Sequence, residues 1–150
     1  MRFKQIGTTL VSAAAITALS TSPALAYPST PFAISSGLGA HSASGNLTWF
    51  NRSVQVQGKV TDVGGAGTRV HFSAYTPTSW VGSQARPTEG LPAVNESVSY
   101  NFTFDGSAYS GGITEIAVWI YNAHSQTWSG PTSYYRPQSH IANADPLGTR

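Results

Sequence analysis

The chain has 150 residues, room for one domain, and only 9% of them are charged while 11% are aromatic. Arg2 and Lys4 lie in a segment that reads as removable; without them basic and acidic residues balance, and the net charge of +2 falls to near zero. That excludes the electrostatic footprint of a nucleic-acid or acidic-lipid partner, and the absence of cysteine excludes a thiol nucleophile, a thiolate metal site and a disulfide framework.

Residues 1–26 have the three parts of a secretory signal: the positive Arg2 and Lys4, an alanine-rich apolar stretch from Ile6 to Leu19, and Ala24-Leu25-Ala26 as a cleavage site. The stretch is too short, and too polar at Ser12, Thr17 and Ser20, to span a bilayer. Cleavage is expected before Tyr27, giving a secreted, extracellular protein with no membrane association once the signal is removed. Residues 27–45 are small, polar and without period, so they read as a flexible lead-in, and 137–150 read as a tail.

Strand patterns fill the stretch 46–136. From Ser53 to Val63, Val54, Val56 and Val60 alternate with Gln55, Gln57, Lys59 and Thr61, the period-2 pattern of a half-buried strand. Gly58 interrupts its inward face, and the simplest reason is room for a neighbouring ring such as Phe72. Thr68 to Thr76 puts Val70, Phe72 and Ala74 inward against Arg69, His71, Ser73 and Tyr75. Ser97 to Phe104 gathers Val98, Tyr100, Phe102 and Phe104 on one face. Ile113 to Tyr121 is apolar on both faces, with Ile116, Val118 and Ile120 inward and Ala117, Trp119 and Tyr121 outward; such a strand is central or carries something on its outer side. Asn46–Asn51, Ser79–Ser83 and Gln126–Arg136 are shorter candidates. Six or seven short strands joined by Gly, Pro, Asn and Ser turns predict an all-β fold: an antiparallel immunoglobulin-like β-sandwich, with a small β-barrel as the alternative. In that topology Thr68–Thr76, Ile113–Tyr121 and Gln126–Arg136 share a sheet.

The runs Leu47-Thr-Trp-Phe-Asn-Arg-Ser-Val54, Val56-Gln-Gly58, Val70-His-Phe72, Tyr100-Asn-Phe-Thr103 and Gly111-Gly-Ile-Thr114 resemble small secreted proteins of actinomycete bacteria. The resemblance covers roughly residues 46–136 and implies a signal peptide followed by one all-β domain. It brings no activity and no functional residues with it.

Nothing in the sequence proposes catalysis, a metal site or a cofactor. No Gly-x-Ser-x-Gly elbow occurs. His41 and His140 fall in the expected flexible ends, His124 in a turn, and His71 on an outer strand face. Asp62 and Asp105 sit beside glycines, where aspartate commonly bonds the local backbone. Aromatic side chains are the feature above background. By parity Trp119, Tyr121 and Tyr75 face away from the core, and Trp128, across a short turn from Tyr121, shares their face. A flat row of rings suits the apolar face of a pyranose, and it also suits a protein interface. The expectation is a monomeric, non-catalytic binding module for carbohydrate or cell-wall polymer through Trp119, Tyr121, Trp128 and Tyr75. The competing readings are an inhibitor or effector that grips another extracellular protein through a 77–96 loop holding Trp80, Arg86, Pro87 and Pro92, and, behind both, a small hydrolase.

Overall fold

The computed structural model describes residues 27–36, 39–88 and 91–138. The segment 1–26, Glu89, and the tail from residue 139 with His140 lie outside them. Among the described residues there are eight strands and no helix: β1 (Ser29–Ser36), β2 (His41–Trp49), β3 (Val54–Asp62), β4 (Thr68–Tyr75), β5 (Trp80–Arg86), β6 (Ser97–Phe104), β7 (Glu115–Asn122) and β8 (Thr127–Tyr135). They form two antiparallel four-stranded sheets, ordered β1-β2-β3-β6 and β5-β4-β7-β8, packed as a sandwich and not closed into a barrel. The connections follow the immunoglobulin-like pattern: β2, β3 and β6 stand as A, B and E, and β5, β4, β7 and β8 as C′, C, F and G. As expected, β4, β7 and β8 share a sheet.

Three expectations fail. Residues 27–45 are not a lead-in, because β1 and the first half of β2 occupy them, which makes eight strands and not six or seven. Segment 77–96 is likewise no single loop, since its first half is β5. β1 buries Phe32 and half-buries Thr30 and Ile34 at alternate positions, and Pro31, which has no N–H to donate, is tolerable because the strand is an edge. The chain leading into it is anchored too: Pro28 accepts from the Trp49 amide at 2.9 Å, and Thr30 accepts from the Trp49 indole at 2.9 Å.

The core lies between the sheets and is centred on Phe72. One row of paired residues crosses the first sheet as Phe32, Gly45, Gly58 and Tyr100. Phe72 from β4 packs edge-on to both rings of this row, Phe32 and Tyr100, with centroids 5.6 Å away in each case. A Cβ on Gly45 would lie 2.7 Å from the Gly58 Cα, so the strands could not keep this spacing with any larger residue. At Gly58 the nearest side chain is Tyr100, whose hydroxyl would lie 3.0 Å from an added Cβ; Phe72, expected there, is one layer further in. Most of the expected inward residues are fully buried, but Val98 and Phe102 are only half-buried because β6 is an edge strand.

Each open side of the sandwich is closed by one long side chain. On one side the Tyr134 hydroxyl reaches from β8 to the outer edge of β1, accepting from the Ala33 amide at 3.3 Å and donating to its carbonyl at 3.2 Å. On the other the Arg86 guanidinium, turned inward from β5, lies over the Phe102 ring of β6 at 4.4 Å. Both cover groups that an edge strand would otherwise leave open.

Candidate functional site

Register places the outer face of the β5-β4-β7-β8 sheet residue by residue. His71 pairs with Trp119, Arg69 with Tyr121, and Tyr121 in turn with Trp128. The parity expectation holds: Ile116, Val118 and Ile120 are in the core, while Trp119 and Tyr121 are half-buried on the opposite face. Of the two tyrosines near the end of β8, Tyr134 is inward against Phe32 and Tyr135 is outward.

Four side chains come together there. Trp128 starts on β8 and reaches over β7, so that its ring is 4.7 Å from Tyr121 and stands edge-on to His71 of β4 at 5.1 Å. Opposite Trp119, β8 carries an extra residue at Gly130-Pro131, and the register shifts between Val118 and Ile120. Gly130 has φ +112°, and a Cβ there would lie 2.8 Å from the Val118 carbonyl oxygen and 3.3 Å from the Trp119 Cα. A Cβ there would also lie 3.3 Å from Ile34 Cδ1, so the glycine lets β8 lie close over β7; on the outer face an open groove of about 350 Å³ is lined by His71, Ser73, Trp119, Trp128 and Gly130. Trp128 is 52% exposed, so this is a surface of rings open to solvent and not a lid over the core.

Tyr121 and Tyr75 differ from the expectation. Tyr121 is flanked by Trp128 and by the Arg69 guanidinium, 4.8 Å from its ring centre, so it buttresses Trp128 and offers little free face. Tyr75 is not in the cluster. It pairs with Trp80 and Glu115, four residues along β4 from His71, about 13 Å away at the rise of a strand.

A second constellation escaped the sequence reading. His41 and Asp62 form a cross-strand pair in one sheet, Thr68 and Asn122 in the other, and all four converge between the sheets. The Thr68 hydroxyl donates to Asp62 Oδ2 at 2.7 Å, and His41 Nδ1 lies 2.6 Å from Thr68 Oγ1 and 3.2 Å from Asp62 Oδ2. Asn122 Oδ1 accepts from the amides of His124 and Ser125, which turns its Nδ2 toward His41 Nε2 at 2.8 Å. Nε2 is therefore the acceptor and Nδ1 carries the proton. Asp62 Oδ1 accepts from the amides of Gly64, Gly65 and Asn95. Burial alone would raise the carboxyl's pKa, but the hydrogen bonds from Thr68, Asn95 and Gly65 and the nearby His41 outweigh it and hold it below its ordinary value.

Thr68, His41 and Asp62 have the residue types of a nucleophilic triad without its geometry. The hydroxyl is committed to the carboxylate, Nε2 to Asn122, and all three residues are buried. What the arrangement can do is hold two sheets together. The alternation His41-x-Ala43-x-Gly45-x-Leu47-x-Trp49 was the available signal that His41 belongs to a strand. Asp105 behaves as expected of a turn aspartate: it accepts from the Ser107 amide at 2.8 Å, which lowers its pKa.

Among the described residues no group of three or more His, Cys, Asp or Glu could hold a metal ion. No protein-family model matches the chain, and no curated protein or solved structure matches it.

Proposed function

We propose that this chain is a secreted, non-catalytic module that binds neutral carbohydrate through the groove between His71, Trp119 and Trp128. The groove itself carries the proposal: two indoles and an imidazole line it around the small Ser73. Ring faces stack on the C–H face of a pyranose, and the Ser73 hydroxyl at the base of the groove offers a partner for one of its hydroxyls. Neither neighbouring charge lines the groove: Arg69 lies over the Tyr121 ring and Glu115 accepts from the Ser133 hydroxyl at 2.6 Å, which favours an uncharged ligand.

Each stacked ring contributes on the order of 1 kcal/mol, about fivefold in affinity. Trp128→Ala and Trp119→Ala are therefore each expected to weaken binding to an insoluble polysaccharide matrix about fivefold while leaving the circular dichroism spectrum and unfolding midpoint close to those of the parent. Affinity undiminished by both substitutions removes the groove from consideration as a sugar site.

A further inference from the structure

The rows that pair across this sheet continue beyond the groove. Next to the His71–Trp119 row comes a row of small residues, Ser83, Ser73, Ala117 and Ser133, one from each strand. Beyond it lies the row Trp80, Tyr75, Glu115 and Tyr135. Ser73 and Ala117 sit on the outer face yet are only 8% and 3% exposed, because bulky neighbours stand over them on both sides. Trp80 and Tyr135 are well exposed, at 58% and 64%. The face is therefore a trough that crosses the strands. Its floor is hydroxyls and a methyl, and its walls are rings whose Cα rows stand about 13 Å apart, four residues at 3.3 Å each.

Building on the carbohydrate reading, we infer that this trough takes a linear, uncharged oligosaccharide lying perpendicular to the strands. Tyr75 and Tyr135 form the second wall, and Glu115 accepts a sugar hydroxyl at the rim. A single pyranose touches one wall at a time, whereas a chain can use both walls and the length of the floor. Among the described residues the face carries two charged side chains, Arg69 over the Tyr121 ring at one end and Glu115 at the rim, and none in the row of small residues, which favours an uncharged ligand. A peptide strand would need an open sheet edge, and on this face the backbone is paired inside the sheet. A second copy meeting this face would set trough against trough and leave a channel unfilled.

The test is calorimetric titration of the mature protein with single sugars and with oligomers up to the hexamer of β-1,4-linked glucose, N-acetylglucosamine and mannose. The parent is compared with Tyr135→Ala and Trp80→Ala, both at exposed positions that carry no core packing. Affinity is expected to climb with chain length for at least one series, and Tyr135→Ala is expected to remove about fivefold from the longer oligomers while leaving the single sugar unchanged. Equal affinity for monomer and hexamer, or a climb untouched by both substitutions, overturns the trough and leaves the sugar groove standing. Absence of binding to every sugar overturns both readings; self-association lost in Trp128→Ala, seen by sedimentation, would then make this face a contact between copies.

Discussion

Phe72 and Phe102 are both inward phenylalanines on amphipathic strands, yet their surroundings differ. Phe72 is fully buried and touches the rings of Phe32, Tyr100 and Phe102, whereas Phe102 sits half-buried on an edge strand with only a guanidinium over its outer face. Phe72→Ala would open a cavity at the centre of the sandwich and is expected to cost about 3–5 kcal/mol. Phe102→Ala leaves a space that water and the Arg86 side chain can reach, so a cost of about 1–2 kcal/mol is expected. Urea denaturation of the two variants measures the difference. Equal losses would mean that the edge ring is as much core as the central one. The close approach of β2 to β3 in the row between Phe32 and Tyr100 rests in turn on Gly45 and Gly58, where the backbones are too near for a Cβ.

At the scale of strands, legibility followed the strength of alternation. β3, β4, β6 and β7 were readable to within a residue or two because valines and aromatics recur at strict period 2 over eight or nine positions. β1 was not, because Ser-Thr-Pro-Phe-Ala-Ile-Ser-Ser has few large apolar residues and a proline, and its pairing with β2 is decided by Phe32 falling opposite Gly45. The outward direction of Trp119 could be read from parity alone. The reach of Trp128 to His71 could not, since it is a contact across β7 between side chains of two strands that no period within one strand encodes. Nor could the Tyr134 hydroxyl on Ala33, a contact between residues 101 positions apart. That contact has a consequence for β1. Tyr134→Phe removes both hydrogen bonds from the outer edge, so a loss of about 1 kcal/mol is expected, with faster amide exchange at Ala33 and little change in β3 or β7. Unaltered exchange at Ala33 would show that the hydroxyl does not secure the edge.

For the whole molecule, what matters is how two sheets stay together without a disulfide. Apolar burial between them is the main stabilising term, about 1.5–3 kcal/mol for each large side chain fully removed from water, but it is non-directional and does not fix how the sheets are aligned. Arg136 pins one end, donating from Nε to the Ile113 carbonyl at 2.9 Å and from Nη1 to that of Asn51. The His41, Asp62, Thr68 and Asn122 cluster pins the other, with one registered pair from each sheet and the loop at Asn95 drawn in as well. In a chain with no cysteine, this polar bolt at one end of the sandwich ties the two sheets, as an inter-sheet disulfide does in the core of antibody domains. Its weakness is acid. The folded protein holds the Asp62 carboxyl below its ordinary value of 3.8, so the folded state favours the ionised form more than the unfolded chain does. The resulting stability is fully present above the unfolded pKa and disappears as pH falls through the lower, folded one. The unfolding midpoint is therefore expected to be level near neutrality and to drop below about pH 4. Asp62→Asn keeps the shape but loses the charge and one of the acceptor oxygens, leaving donors from Thr68, His41 and three backbone amides poorly satisfied; a loss of about 3 kcal/mol at pH 7 is expected. The decisive comparison is the pH profile: in Asp62→Asn the acid-side drop should be shallower than in the parent. A variant as stable as the parent at pH 7, or one with the same acid-side slope, would show that the sheets are aligned by apolar packing and Arg136 alone.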